Sequence, residues 1–146
     1  PTPFATLEHD PLEEYPLSLL LKFPDLAQHA TMLRPEHFHR IENREIFTRW
    51  LKNVNIKGVD DLEPDLRQHL DYLLSKETPP LEFKARERAL VESVFRLEER
   101  RLRELKLEEE LRLAQASPEE LYTQKERVLE TNERIRQVFL QRTEKK

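Results

Sequence analysis

The sequence predicts an all-α fold in which a compact helical bundle is followed by a long helix and a projecting C-terminal helical hairpin. Val, Ile and Thr are sparse, and no stretch alternates apolar and polar residues for long, so strands are not expected. Nine of the ten prolines lie within residues 1–80, which indicates short helices and turns there. Residues 81–114 lack Gly and Pro and could form a helix of roughly 50 Å.

Composition narrows the possible classes of protein. The chain of 146 residues is long enough for one domain, or one domain with an appendage. Hydrophobic residues make up 37% and charged residues another 37%, which indicates a modest core and much exposed helix. The net charge of −4 does not favour direct nucleic-acid binding. Without Cys there can be no disulfide, thiolate metal site or Cys nucleophile, and no apolar run approaches the roughly 18–20 residues of a membrane span.

Three segments are expected along the chain: a linker remnant over residues 1–9, the bundle over 10–97 and the hairpin over 98–146. Residues 1–80 carry 9 Lys/Arg against 14 Asp/Glu, and residues 81–146 carry 16 against 15, so their net charges are −5 and +1. The chain begins Pro-Thr-Pro without Met, and we therefore expect it to be cut from a longer protein.

The bundle should open with a helix capped by Asp10-Pro11-Leu12-Glu13, a capping box. Pro16 should kink this helix or move its start to about residue 16. A second short helix is expected from Pro24. Residues 35–38 should form a single turn that presents Phe38.

The next segment, IENREIFTRWLKNV, predicts an amphipathic helix with Trp50 near the centre of the bundle. Its apolar stripe is expected to contain Ile46, Phe47, Trp50, Leu51 and Val54. Gly58 should cap it or form a turn with positive φ. Asp60-Asp61 should cap a fourth helix, which Pro79-Pro80 should end. The core positions of that helix are expected to be Leu62, Leu66, Leu70, Leu73 and Leu74.

The first part of the long helix should close the bundle with Leu90, Val91, Val94, Phe95 and Leu97. Beyond that point nearly half of the residues are Glu or Arg, and i,i+4 pairs such as Glu99–Arg103 should support the helix in water. A thin apolar set is expected to face the returning helix: Leu102, Leu105, Leu107 and Leu111.

The hairpin should turn at Ala116-Ser117-Pro118, with Ser117 as N-cap, Pro118 as first helical residue and Glu120 completing a capping box. The last helix should run to about Arg142. Its inner stripe is expected to hold Leu121, Val128 and Ile135, with Asn132 and Phe139 in the next row.

Tyr122, Val138 and Leu140 of the last helix lie off this stripe, and near the C-terminus no internal partner is expected to cover such side chains. Such a face is typical of a docking surface. The candidate partner-binding residues are Tyr122, Ile135, Val138, Phe139 and Arg142.

No catalytic, cofactor or metal site is expected in this chain. His37 and His39 are two residues apart, a spacing that directs two imidazoles away from each other on a helix, so we interpret both as surface histidines. His9-Asp10 is most simply the start of a helix. A single Gly is too few for a phosphate-binding loop.

Two stretches, LSLLLKFPDL and LRPEHFHRIENREIFTRWLK, followed by an acidic segment and a charged helical hairpin, resemble the C-terminal helicase-binding domain of bacterial DNA primase (DnaG). The resemblance runs from about Asp10 to Arg142, and PEHF…ENREIF is its most specific part. The N-terminal domain of the replicative helicase DnaB has a related fold and is the alternative. The start at proline and the Lys145-Lys146 tail fit a primase C-terminus better.

The resemblance implies that the bundle modulates the replicative DNA helicase and that the hairpin, roughly residues 98–143, grips the N-terminal domains of this DnaB-type hexamer. The domain would couple RNA primer synthesis to fork unwinding in the bacterial replisome, in the cytoplasm. The primase active site, with its zinc and magnesium, would lie upstream, so this fragment would not be an enzyme. Pro16 departs from the continuous first helix of the family.

Two other classes of protein remain open. A homodimerising helical regulator would pair the hairpin with itself, whereas we expect a monomer. An enzyme with an unrecognised site is the third possibility, which the scarcity of Gly, Cys and clustered ligands disfavours.

Overall fold

The computed structural model describes residues 9–78 and 82–144, and within those ranges every regular element is a helix. The all-α prediction is thus confirmed. Three 3₁₀ turns, Pro24–Ala30, Pro35–His37 and Ile56–Gly58, lie between the α-helices. The α-helices are α1 (Pro11–Lys22), α2 (Ile41–Lys52), α3 (Pro64–Ser75), α4 (Phe83–Gln115) and α5 (Pro118–Glu144).

The chain divides into two compact units, Pro1–Val94 and Phe95–Lys146, and the division falls within α4. We call the described part of the first unit the bundle and that of the second unit the hairpin. Among the described residues, no helix combines the length and apolar character needed to cross a membrane.

In the bundle, α1 begins at Pro11 rather than near Pro16. The Asp10 carboxylate accepts a hydrogen bond from the Leu12 backbone N–H at 3.1 Å and so caps the helix. Pro16 is the sixth residue of α1, beyond the first turn, so its missing N–H removes one intrahelical hydrogen bond, but the helix continues through it to Lys22. The expected later start is therefore wrong.

The core of the bundle lies among α1, α2 and α3, which all pack on one another. Trp50 is buried, as predicted, and an aromatic row connects it to Phe47 and Phe38. The ring centroids of Phe38 and Phe47 are 4.8 Å apart, and those of Phe47 and Trp50 are 5.7 Å apart. Leucines complete the core: Leu17, Leu19, Leu20, Leu21, Leu26, Leu66, Leu70 and Leu73 are buried.

Some expected features of α2 and its flanking turn are wrong. Leu51 is 52% exposed, because α2 packs with a narrower face than the apolar pattern suggested. Val54 is exposed as well, and it lies beyond the end of α2 at Lys52. Gly58 does not have positive φ, and it ends a 3₁₀ turn instead.

The start of α3 also differs from the prediction. The helix begins at Pro64 after Glu63, so Asp60-Asp61 do not cap it. A proline at the first helical position has no N–H that needs a cap, which favours this start. The helix ends at Ser75, and the predicted stop at Pro79-Pro80 lies outside the described residues, as do residues 1–8 of the expected linker and the Lys145-Lys146 tail.

Candidate partner-binding surface

The turn between α4 and α5 is a capping box. The Ser117 hydroxyl accepts a hydrogen bond from the Glu120 backbone N–H, and the Glu120 carboxylate accepts one from the Ser117 N–H, both at 3.4 Å. Pro118 is the first residue of α5. The predicted roles of Ser117, Pro118 and Glu120 are confirmed. The turn was predictable because a local motif of four residues forms it.

One side of α5 is less exposed than the rest and carries residues spaced by three and four. This seam contains Leu121, Gln124, Val128, Thr131, Ile135, Val138 and Arg142. Thr131 is buried, and its hydroxyl donates a hydrogen bond to the Glu109 carboxylate of α4 at 2.7 Å. The contact shows that the seam is the side of α5 that lies against α4.

Ion pairs join the C-terminal half of α5 to the hairpin's part of α4. Arg142 hydrogen-bonds the buried carboxylate of Glu99, and Arg134 lies 4.0 Å from Glu98. The predicted pair between Glu99 and Arg103 is present too, at 3.7 Å. Arg142 thus has an ion-pair partner within the hairpin, and the expectation that it lacks one is wrong.

The assignment of Val138 and Phe139 to the two faces of α5 was reversed. Val138 is only 8% exposed, whereas Phe139 is 54% exposed. The buried Thr131, which sequence reasoning did not count because Thr is polar, sets the seam, and Val138 lies seven residues further along the same face. Ile135 is half-buried in this seam.

The opposite face of α5 carries large apolar side chains in contact with solvent. Tyr122 is 73% exposed, Leu129 67% and Leu140 43%. At about 100° per residue these three lie within about 20° of one another around the helix, along about 27 Å. Phe139 lies to one side of this row. Sequence reasoning missed Leu129, although its spacing of seven from Tyr122 is a helical signal.

The hairpin's part of α4 is less apolar toward α5 than predicted. Leu102 is buried, but Leu107 and Leu111 are 60% and 58% exposed, so they do not face the returning helix. Glu109 takes that place through its bond to Thr131. Leu107 and Leu111, one turn apart and exposed to a similar degree, can serve as a control for substitutions in the exposed row on α5.

A groove runs along one side of the hairpin and holds about 440 Å³. The nearly buried side chains Leu102 and Val138 lie at its floor. Its other lining residues are charged or amide-bearing: Glu98, Glu130, Glu133, Arg134, Gln137 and Gln141.

Three carboxylates in the described part of the bundle are buried, those of Glu13, Glu14 and Glu42. Glu13 and Glu14 each have several partners, whereas Oε2 of Glu42 has no hydrogen-bond partner. Glu13 accepts hydrogen bonds from the backbone N–H groups of His39 at 2.6 Å and Arg40 at 3.3 Å, and from the Asn43 amide at 3.0 Å. It thereby caps α2, whose own N-cap residue Arg40 provides no side-chain bond. The predicted capping box of α1 is wrong in this respect, because Glu13 serves another helix.

Glu14 is the second buried carboxylate. It contacts His9 at 2.8 Å, the Tyr72 hydroxyl at 3.1 Å and the Lys76 ammonium at 3.2 Å. Burial and the charge of Glu14 raise the pKa of Tyr72. Burial alone would lower the pKa of Lys76, but the hydrogen bond and charge of Glu14 outweigh it and raise this pKa.

His69 extends the cluster inside the bundle. Its Nε2 lies 2.8 Å from the Asn43 side-chain oxygen. Burial lowers the pKa of His69 to about 4, although the charge of Glu14 acts in the opposite direction. The imidazole is therefore neutral near neutral pH.

Only one group among the described residues has ligand atoms close enough to suggest a metal: Asp10, Glu13 and His39, all within 4.8 Å of one another. The Glu13 carboxylate already accepts three hydrogen bonds, so its position is explained by the N-terminus of α2.

His37 is buried, and its Nδ1 accepts a hydrogen bond from the Arg34 backbone N–H, so its interpretation as a surface residue is wrong. His39 is exposed, as predicted.

Comparison with protein-family models, with curated proteins and with solved structures gave no significant match. Any argument about function therefore rests on the residues and on the geometry given above.

Proposed function

We propose that this chain is a protein-interaction domain of a bacterial DNA primase that binds the N-terminal domains of the replicative helicase. The observation that carries the proposal is the row of exposed Tyr122, Leu129 and Leu140 on the outer face of α5. The exposed Phe139 lies about 100° around the helix from Leu140, at the edge of this face. Large apolar side chains exposed together on one helix face are typical of protein interfaces. The resemblance to the primase domain, from about Asp10 to Arg142, supplies the identity of the partner.

The seam supports this assignment because it holds α5 in place while leaving the outer face open. The bonds of Thr131 to Glu109 and of Arg142 to Glu99 fix α5 on α4 at two points along its length. A pre-ordered helix loses less conformational entropy on binding than a disordered one. We therefore assign Ile135, Val138 and Arg142 to the seam and place the main contacts at Tyr122, Leu129, Phe139 and Leu140.

The proposal gives the bundle the smaller share of the affinity. The bundle also exposes large apolar side chains, but Ile41 and Leu51 lie about 80° apart around α2 and form no row. The buried Glu13, Glu14 and His69 have partners within the bundle itself. In the proposed function the bundle acts on the helicase after the hairpin has bound, and the coupling joins primer synthesis to unwinding at the fork in the cytoplasm.

The test is titration calorimetry of the whole chain against the full hexameric helicase of the same bacterium. Phe139→Ala combined with Leu140→Ala should weaken binding at least tenfold, about 1.4 kcal/mol. Large aromatic anchors dominate interface energies, and Ala favours helix, so helix content should not fall.

The matched control is Leu107→Ala combined with Leu111→Ala, which removes similarly exposed leucines from α4. It should leave the affinity within about twofold. Equal losses in both double variants, or no binding by the unmodified chain, would contradict the proposal. A chain that sediments as a dimer at micromolar concentration, and loses this state in the α5 variant, would favour the homodimerising regulator instead.

A further inference from the structure

We propose that the tip of the hairpin opens as a separate unit while its base stays closed, and that a partner bound along the outer row of α5 holds the tip closed. The tip is residues 110–130, and the base is the rest of the hairpin. The hydrogen bond between Thr131 and Glu109 marks the boundary between them. Only the identity of the partner rests on the proposed function, whereas the opening follows from the hairpin itself.

Burial distinguishes the tip from the base. The structure describes every residue from 110 to 130, and none of these residues is buried. In the base, by contrast, Leu102, Thr131 and Val138 are buried. Because apolar burial supplies most of the free energy that holds two helices together, the tip is held more weakly than the base.

The tip also gains little support from its own local structure. α5 contributes residues 118–130, and an isolated helix of roughly 12–15 residues is only marginally stable in water. The two hydrogen bonds of the capping box are 3.4 Å long, beyond the usual range of about 2.7–3.2 Å. Weak contacts therefore close the turn end of the tip.

Gln124 weakens the seam within the tip. Its side-chain oxygen Oε1 is buried and has no hydrogen-bond partner among the described residues. A buried acceptor without a partner loses its hydrogen bonds to water in the closed form and regains them when the tip opens. The nearby seam residues Leu121 and Val128 are only half-buried, so apolar packing offsets little of this cost. Gln124 therefore shifts the equilibrium towards the open tip.

The outer row of α5 connects this opening to binding, because the row crosses the boundary between tip and base. Tyr122 and Leu129 belong to the tip, and Leu140 belongs to the base. A partner that contacts all three side chains needs α5 to be continuous and in line on α4. Such a partner binds the closed form better than the open form and shifts the population towards it.

The direct test is amide hydrogen exchange of the whole chain, followed residue by residue by NMR and corrected for intrinsic exchange rates. Amides of residues 122–130 should exchange at least tenfold faster than those of Leu102 and Val138. Low concentrations of denaturant should change the tip rates little, because local opening exposes little surface. Equal protection of tip and base, or tip exchange that occurs only by global unfolding, would overturn the proposal.

A single substitution tests the role of Gln124. Gln124→Met keeps the unbranched shape and a similar helix propensity but removes the unpartnered acceptor. It should slow exchange in residues 122–130 at least about fivefold and leave Leu102 and Val138 within about twofold. Gln115→Met is the matched control, since it makes the same replacement at an exposed position of the tip, and it should change the tip rates less than about twofold. Equal effects of the two variants, or no effect of Gln124→Met, would refute the role of Gln124.

Exchange in the presence of saturating hexameric helicase separates this proposal from the proposed function. Binding should slow the exchange of residues 122–130 to the level of the base, and bound helicase that leaves their rates unchanged would contradict closure by the partner. If the tip opens as expected but the helicase does not bind, the opening stands and the primase assignment fails. If the helicase binds, and tip and base exchange alike in the free chain, the opening fails and the primase assignment stands.

Discussion

The bundle and the hairpin use polar side chains in different ways. In the bundle, Glu13 and Glu14 are buried and bind groups from other elements, so polar atoms help to fix how helices meet around a leucine and aromatic core. In the hairpin, polar side chains replace much of that core: Thr131 with Glu109 and Arg142 with Glu99 join α4 to α5. Large apolar side chains are exposed in both units, Ile41 and Leu51 among them in the bundle. The units differ in how their helices are joined: a packed core joins those of the bundle, and a few polar contacts join α4 to α5.

The largest expected effect tests whether the aromatic core dominates the stability of the bundle. Trp50→Ala should lower the free energy of unfolding by roughly 3–5 kcal/mol, through the lost transfer energy and the cavity that remains. The neighbouring Leu51→Ala is the control, since Leu51 is exposed, and it should change stability by less than about 0.5 kcal/mol. Denaturant unfolding measures both. A loss below about 1 kcal/mol for Trp50→Ala would mean that the aromatic row is not the centre of the core.

A second test addresses the buried polar cluster through pH. The pKa of His69 is about 4 in the folded chain and ordinarily 6.5, so the unfolded chain binds a proton more readily. Well above pH 6.5 His69 is neutral in both states and does not change the free energy of unfolding. As the pH falls from 6.5 towards 4, this free energy decreases, because the unfolded chain takes up the proton and the folded chain does not. Lowering the pH from about 7 to about 5 should therefore reduce the free energy of unfolding by about 2 kcal/mol through the protonation of His69 in the unfolded chain.

The measurement is the free energy of unfolding at both pH values. His69→Gln should remove this part of the pH dependence, because Gln can still donate to Asn43 but does not titrate. His39→Gln, at an exposed imidazole, should keep it. The prediction fails if the unmodified chain and His69→Gln lose the same stability on acidification.

The smallest expected effect is local to the hairpin. Ser117→Ala should cost about 1 kcal/mol, because the Glu120 N–H loses its acceptor at the start of α5. Amide exchange in the first turn of α5 should become faster, while the bundle should be unaffected. Thr123→Ala, at an exposed position within the same helix, is the comparison. Unchanged exchange after the Ser117 replacement would show that the turn does not need its capping box.

Features that depend on neighbours along the chain were predictable from the amino-acid sequence alone. The absence of alternating patterns excluded strands, the proline distribution separated short helices from long ones, and Ser117-Pro118 marked the turn. The burial of Trp50 followed from the helical spacing of α2. These features were predictable because caps and helical periodicity act over one or two turns.

The partner that each polar side chain binds depends instead on tertiary packing. Glu13 looked like part of a local cap, but its carboxylate accepts hydrogen bonds from the backbone N–H groups of His39 and Arg40 at the start of α2. Val138 looked exposed, but Thr131 sets the face of α5 that lies against α4, and Phe139 is turned out. These partners and buried faces depend on which surfaces meet in space. Helical periodicity cannot predict them, because a helix with apolar residues on several faces can bury any one of these faces.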